Sequence, residues 1–328
     1  MPSIVITSPF VNTEHGPSAE LLRRTGYPSR VSLFDPARTA AELIPVLHDA
    51  IAAIVAVDPL DATVLEQAPL LRVIARVGVG YDAVDVQAAS ARDIVVCTTV
   101  GSNARAVAEH TWGLILAVAR RIPAQHAAVQ AGGWKRHVGT ELAGKTLGIV
   151  GFGMVGQAVA RRGLAFEMRV LAHDIAPDEE AAQRLGITLC DLATVLAEAD
   201  VLSIHASLTP SSRGLIGAAA LRQMKPGAIL VNTSRGSIVD QEALAAALHA
   251  GTLGGAGLDV FATEPPGPAL AFFEGVPNVV FTPHGAGITV ESVARGASMA
   301  VESVTRVLAG RRPLTAVNPE VVERLGLR

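Results

Sequence analysis

The apolar run Thr146-Leu147-Gly148-Ile149-Val150 leads without interruption into Gly151-Phe152-Gly153-Met154-Val155-Gly156. No other feature constrains the fold of this chain as much. Glycines spaced Gly-x-Gly-x-x-Gly are a weak signal alone, since the chain holds 31 glycines. Placed between a strand and a helix, they form a dinucleotide fingerprint. Gly151 permits the tight turn, Gly153 lets a pyrophosphate approach the backbone, and Gly156 lets the helix pack close to the strand. The new helix presents the N–H groups of Met154 and Val155 to the phosphates.

The next strand ends at His173-Asp174. A carboxylate there can accept the adenosine ribose hydroxyls and would repel a 2′-phosphate. No Arg or Lys follows at once, so NAD is favoured over NADP. The bland alternative is that Asp174 caps the following helix.

At 328 residues the chain is long enough for two ordinary domains. Half of it is hydrophobic, and the formal net charge is -3 with no basic block, which gives no footing to a nucleic-acid partner or an anionic membrane surface. Met1-Pro2-Ser3-Ile4-Val5-Ile6 reads as a first strand and not as a signal peptide. The apolar stretch Trp112 to Ala119 is too short to span a bilayer, and the expected location is the cytoplasm. Cys97 and Cys190 read as reduced thiols, and no metal motif is present.

The first hundred residues alternate β-rich runs (4–6, 30–34, 53–57, 72–75 and 94–96) with helical stretches such as 39–49 and 82–91. That alternation means a parallel sheet with crossover helices, both faces covered. A long helix from Asn103 to Arg121 should end near Pro123, followed by an exposed loop over 131–137. A second α/β pattern has strands expected at 147–150, 168–172, 201–204, 228–231, 257–259 and 279–282, and a final helix, about 290–309, closes the chain.

Three residues downstream supply reactive groups, two of them directly after apolar strands. Arg235, in Asn232-Thr233-Ser234-Arg235-Gly236, could grip a carboxylate bidentately or polarise a 2-oxo group. His284, after Pro283, could take and return a hydroxyl proton. Glu264 could hold the other ring nitrogen and orient the imidazole. The other histidines read as surface residues without such company.

In this combination the chain resembles the NAD-dependent D-isomer-specific 2-hydroxyacid dehydrogenases over essentially its whole length. The resemblance is carried by Gly78-Val79-Gly80-Tyr81-Asp82 with Val84-Asp85, Asn103 with Val107-Ala108-Glu109, Gly151 to Gly156, His205 to Gly217, Asn232 to Asp240, Asp259 to Pro265 and Thr282 to Gly287. It implies two doubly wound parallel-sheet α/β domains. One is a discontinuous, flavodoxin-like substrate domain (1–102 plus 287–328); the other is a Rossmann NAD domain (103–286). The two long helices would cross the hinge. It implies that Arg235 binds substrate, His284 is the acid/base, and Glu264 pairs with it. The N–H groups of Val79 and Gly80 would bind the substrate carboxylate, with Asn103 bordering the site. Asp174 would hold the ribose and Asp259 the nicotinamide carboxamide, with Ala206, Thr233, Ser234 and Gly287 lining the cofactor. Homodimers are usual in the family.

Two departures stand out. Ala206-Ser207-Leu208-Thr209-Pro210 lacks the usual Pro directly after the His205 strand, and small residues Gly285, Ala286 and Gly287 follow His284, predicting a looser loop and a roomier site. For the substrate, Arg76 matches a position that phosphoglycerate-specific relatives use, but Ala56-Val57-Asp58-Pro59 offers no cation, and Asp58 would repel a phosphate. The expected substrate is a small unphosphorylated 2-oxo or 2-hydroxy acid, with D-3-phosphoglycerate the alternative. Readings of other classes are an NAD(H)-sensing protein of the corepressor type, or a different user of the dinucleotide fold such as a methyltransferase.

Overall fold

The computed structural model describes residues 1–35, 38–276 and 278–328. The chain divides into two compact units, Met1–Asn103 with Ile288–Arg328, and Ala104–Gly287.

The first unit is built on β1 (Ser3–Ile6), β2 (Ser29–Val31), β3 (Ala50–Val55), β4 (Val73–Arg76) and β5 (Val95–Cys97). The order is β2-β1-β3-β4-β5, with every pairing parallel. This is the doubly wound order of flavodoxin-like sheets. Successive residues of β1 and β3 feed opposite faces: Ile4, Ile6 and Ile54 enter one apolar cluster, Val5 and Ala53 the other. Both faces are covered, so the strands are apolar throughout and lack polar alternation. The helix Val290–Leu308 covers one face through Ala297, Ala300, Val301 and Val304, which brings the C-terminal stretch into this unit.

The second unit holds β6 (Thr146–Val150), β7 (Arg169–His173), β8 (Thr188–Leu189), β9 (Val201–Ile204), β10 (Ile229–Asn232), β11 (Gly255–Leu258) and β12 (Val279–Phe281). Their order, β12-β11-β10-β9-β6-β7-β8, is parallel throughout. The chain reverses direction across the sheet between β6 and β9, the switch point at which doubly wound sheets bind ligands.

Several sequence expectations need correction. The helix expected over 82–91 is only Val86–Ser90: Asp85 caps it through the Ala88 N–H at 2.9 Å, and a turn occupies the residues before it. The long helix stops at Ala119, but Pro123 does not end the helical region. A separate helix, Ile122–Gln130, starts there with Pro in its first turn, where the missing N–H costs nothing. The two-residue β8 was too short to be read. The chain does not close on its long helix either. Pro319–Arg324 is helical, preceded by Asn318, whose side chain accepts the Val96 N–H and donates to Ile94 O, both at 2.9 Å. Each long helix falls within one unit: Ala104–Ala119 in the second and Val290–Leu308 in the first.

Candidate active site

In the second unit, the turns after β6, β9 and β10 converge. Gly151 has φ +95°, and a Cβ there would lie 2.4 Å from Ala206 N, so only glycine lets the two turns touch. The Ser234 hydroxyl donates to Ala206 O, tying in the turn after β10. A Cβ on Gly156 would lie 2.1 Å from Gly151 O, which confirms the close helix packing expected of the third glycine. Gly153 differs. It is the N-cap of the helix Met154–Ala165, no side chain caps that helix, and a Cβ at Gly153 would meet nothing within 4 Å. The cap of this helix at Gly153 is thus left open and uncapped by any side chain, as a pyrophosphate at the first N–H groups requires. Asp174 accepts the Phe152 N–H at 2.6 Å and the Ala176 N–H at 2.9 Å. It is not a helix cap, since Asp178 caps the next helix. Its half-buried carboxylate sits beside the glycine turn with acceptor sites to spare. The residues present fit a dinucleotide.

His284 is brought to Glu264, with its Nδ1 2.6 Å from Glu264 Oε2. Glu264 Oε1 accepts the Phe261 N–H at 3.0 Å. Burial pushes the Glu264 carboxyl up, but the hydrogen bonds from His284 and the Phe261 N–H, with the charges of His284 and Arg235, more than offset this and hold it below its ordinary value. Glu264 is therefore an anion that fixes the ring through Nδ1 and leaves Nε2 for a reacting oxygen. Arg235 precedes the 3-10 turn Gly236–Ile238 and donates to Ser234 O at 2.8 Å, while the Asn232 side chain holds Arg235 O at 2.9 Å. Gly236 is obligatory here, because its Cβ would lie 1.9 Å from Phe261 C.

His284 has φ +53°, a region disfavoured for non-glycine residues. Asp259 holds it there. The carbonyl of Asp259 accepts the His284 N–H at 2.7 Å, and its fully buried carboxylate accepts the N–H groups of Gly285 and Ala286, each at 2.9 Å, and the Thr282 hydroxyl at 2.5 Å. The small residues after His284 therefore do not loosen the loop: their N–H groups pin it, and Ala286 is buried.

Two histidines were misread from sequence. His110 is half-buried and reaches Thr282 Oγ1 at 2.9 Å. His205 follows β9 much as His284 follows β12, but burial pushes its pKa down to about 3, and its Nε2 meets only Ser203 Oγ at 2.7 Å. A neutral buried imidazole cannot donate a proton near neutral pH, so His284 is the candidate acid/base.

The first unit carries the other candidates. The Arg76 guanidinium lies over Gly78, occupying the space of a side chain there (a Cβ would be 1.1 Å from Arg76 Nη1), and donates to Val77 O at 2.7 Å. Gly78 is anchored by Thr99 Oγ1 at 2.8 Å. Val79 is exposed, Gly80 is half-buried, and Asn103 immediately precedes the helix Ala104–Ala119. Asp58 does not stand as a bare charge. It is 1% exposed, takes the Thr7 hydroxyl and the Ala56 N–H, and has Arg38 Nη1 at 3.5 Å. The tertiary fold has turned it inward against a cation, which removes the repulsion expected from the sequence.

Residues 112–286, more than half of the chain, match the family described as D-isomer specific 2-hydroxyacid dehydrogenase, NAD binding domain. The chain is 42% identical over 307 residues to the glyoxylate reductase of Aeropyrum pernix, covering 90% of this chain and 88% of that one. It belongs to the D-isomer specific 2-hydroxyacid dehydrogenases. The matched residues all lie in the second unit, Ala104–Gly287. The chain is also 46% identical over 261 residues to the D-3-phosphoglycerate dehydrogenase of Mycobacterium tuberculosis, covering 79% of this chain and 49% of the relative, so it spans about half the length of that protein. A crystal structure of a glyoxylate reductase from Paecilomyes thermophila aligns with it at a TM-score of 0.86 and 27% identity, covering 98% of this chain and 100% of that one.

Proposed function

We propose that the chain reduces a small 2-oxo acid to its D-2-hydroxy acid, and catalyses the reverse, with NAD(H) as hydride carrier. The observation that carries this reading is the 2.6 Å contact of His284 with an anionic Glu264, beside Arg235. When bound, the nicotinamide supplies or accepts the hydride at C2. Arg235 grips the carboxylate or polarises the 2-oxo group. His284 Nε2 delivers the proton to the carbonyl oxygen in reduction and recovers it in oxidation, while Glu264 keeps the ring oriented and stabilises its protonated form. Asp174 receives the ribose hydroxyls, and backbone at Gly153 to Val155 receives the pyrophosphate. Ala206, Thr233, Ser234 and Gly287 border the cofactor. The first unit is the substrate domain, where the N–H groups of Val79 and Gly80 meet the substrate carboxylate and Asn103 borders it. Asp259 faces the nicotinamide carboxamide in addition to bracing the His284 loop.

Glyoxylate and hydroxypyruvate are the favoured substrates, in line with the likeness to glyoxylate reductase over most of both chains. The buried, paired Asp58 gives a specific reason to test a phosphorylated acid as well, with Arg76 as the cation. Among the described residues no helix is long and apolar enough to cross a membrane; the reading places the protein in the cytoplasm as a homodimer. The deciding experiment follows NADH absorbance with glyoxylate, hydroxypyruvate, pyruvate, phenylpyruvate and phosphohydroxypyruvate. Turnover of an unphosphorylated acid supports the reading. A preference for the phosphorylated acid replaces the substrate. NADH binding without turnover of any acid favours an NAD(H) sensor.

A further inference from the structure

The loop that carries His284 is pinned to Asp259, and Asp259 is in turn reached from a helix distant in sequence. Thr282 Oγ1 donates its one proton to Asp259 Oδ1 at 2.5 Å. The same oxygen lies 2.9 Å from His110 Nε2 and must therefore accept. That fixes the tautomer: His110 carries a proton on Nε2. The ring also stands 3.5 Å from Asp259 Oδ1, beside the carboxylate, while its hydrogen bond goes to the hydroxyl. The chain of bonds runs from the helix Ala104–Ala119 through Thr282 to Asp259, and from there to the backbone of His284, Gly285 and Ala286. His284 needs such a hold, since its φ of +53° is unfavourable without one.

We infer that His110 is a positioning residue for His284, acting through Thr282 and Asp259 to lock the turn that aims the acid/base. A helix is a rigid reference, whereas a turn resting only on its own strand ends can shift. Loss of aim by a fraction of an ångström lowers the chemical step with little effect on cofactor affinity. The inference rests on the reading of His284 as the acid/base.

The test uses the full chain with five variants: His110→Leu, Thr282→Val, the double variant of these two, Thr282→Ser and His284→Ala. His110→Leu and Thr282→Val should each lower kcat by about 10-fold or more while NADH affinity, read by fluorescence, stays within about 2-fold. Thr282→Ser, which keeps the hydroxyl, should restore most of kcat. The double variant should lose no more than either single one, because one chain of bonds is broken only once. By NMR the downfield Nδ1 proton of the His284–Glu264 contact should be sharp in the wild type and exchange-broadened in His110→Leu, a readout independent of turnover. Unchanged kcat with an unchanged Nδ1 proton, or fully additive losses in the double variant, overturns the role of His110. Near-full activity in His284→Ala overturns the catalytic reading instead, and the Nδ1 proton then decides alone whether His110 holds the turn.

Discussion

Glu264 binds both its backbone neighbour and its partner ring: Oε1 takes the Phe261 N–H at 3.0 Å, and Oε2 meets His284 Nδ1 at 2.6 Å. One carboxylate thus couples the loop after β11 to the imidazole after β12. Removing the ring and removing only the charge should have separable effects. His284→Ala should lower kcat about 10²–10⁴-fold, the worth of a positioned acid/base. Glu264→Gln keeps an acceptor for Nδ1 but not the charge, and should cost about 10-fold. Steady-state kinetics on a 2-oxo acid check both, and full activity in either variant removes that residue from the mechanism.

The depressed Glu264 carboxyl sets a pH window. A carboxylate held below its ordinary 4.5 is ionised at every pH above that value, and its pairing is lost only as pH falls through the lower folded value. Glu264 itself should therefore add no ionisation to the kcat/KM profile above pH 4.5. An additional acid-side ionisation above that pH, present in the wild type and absent from Glu264→Gln, contradicts the assignment.

Arg235→Lys should fail as a substitute. Lysine keeps the charge but loses the planar fork, and kcat/KM should fall about 10–100-fold, the value of one or two charge-assisted hydrogen bonds. Equal kcat/KM would show that only a point charge is needed.

His205 makes a prediction about stability. Its folded pKa of about 3 lies below the ordinary 6.5, so between these values the unfolded chain binds a proton that the folded one refuses. Stability should fall as pH drops below 6.5, with a slope approaching about 1.4 kcal/mol per pH unit from this group. Denaturant unfolding of the wild type and His205→Gln between pH 6.5 and 4.5 measures the difference in slope. Parallel curves refute a buried neutral imidazole.

The second and third glycines of the fingerprint should part company. Gly156→Ala drives a methyl into Gly151 O and should cost about 2–3 kcal/mol of stability. Gly153→Ala points into open space, so thermal stability should hold while NADH affinity drops about 10-fold or more, because the methyl fills the place a pyrophosphate would take. Thermal melts paired with NADH titration separate the two, and equal behaviour would mean that the open space at Gly153 is not the phosphate site.

Much of the architecture was legible in the chain. The apolar runs of β1, β3, β6 and β9 are buried on both sides, and such runs leave few alternatives to parallel strands. Ends and short pieces were less legible, because a cap such as Asp85 or a two-residue strand such as β8 contributes too few residues to set a period. The reactive trio was readable because each member follows the end of a strand in a doubly wound sheet, where side chains from distant segments meet.

The sequence by itself determined the glycine turn, the acid after β7, and the Arg, Glu and His of the second unit, since these rest on local backbone demands and on residue chemistry. Only the tertiary structure gave the reason that His205 cannot share that part. His205 and His284 both follow strands, yet one is buried beside Ser203 and the other is exposed against Glu264. Only the tertiary structure neutralised Asp58 with Arg38 and brought His110 to Thr282, 172 residues away along the chain. Burial and long-range pairing fix the free energy of a charge, and neither can be read from a residue's neighbours in sequence.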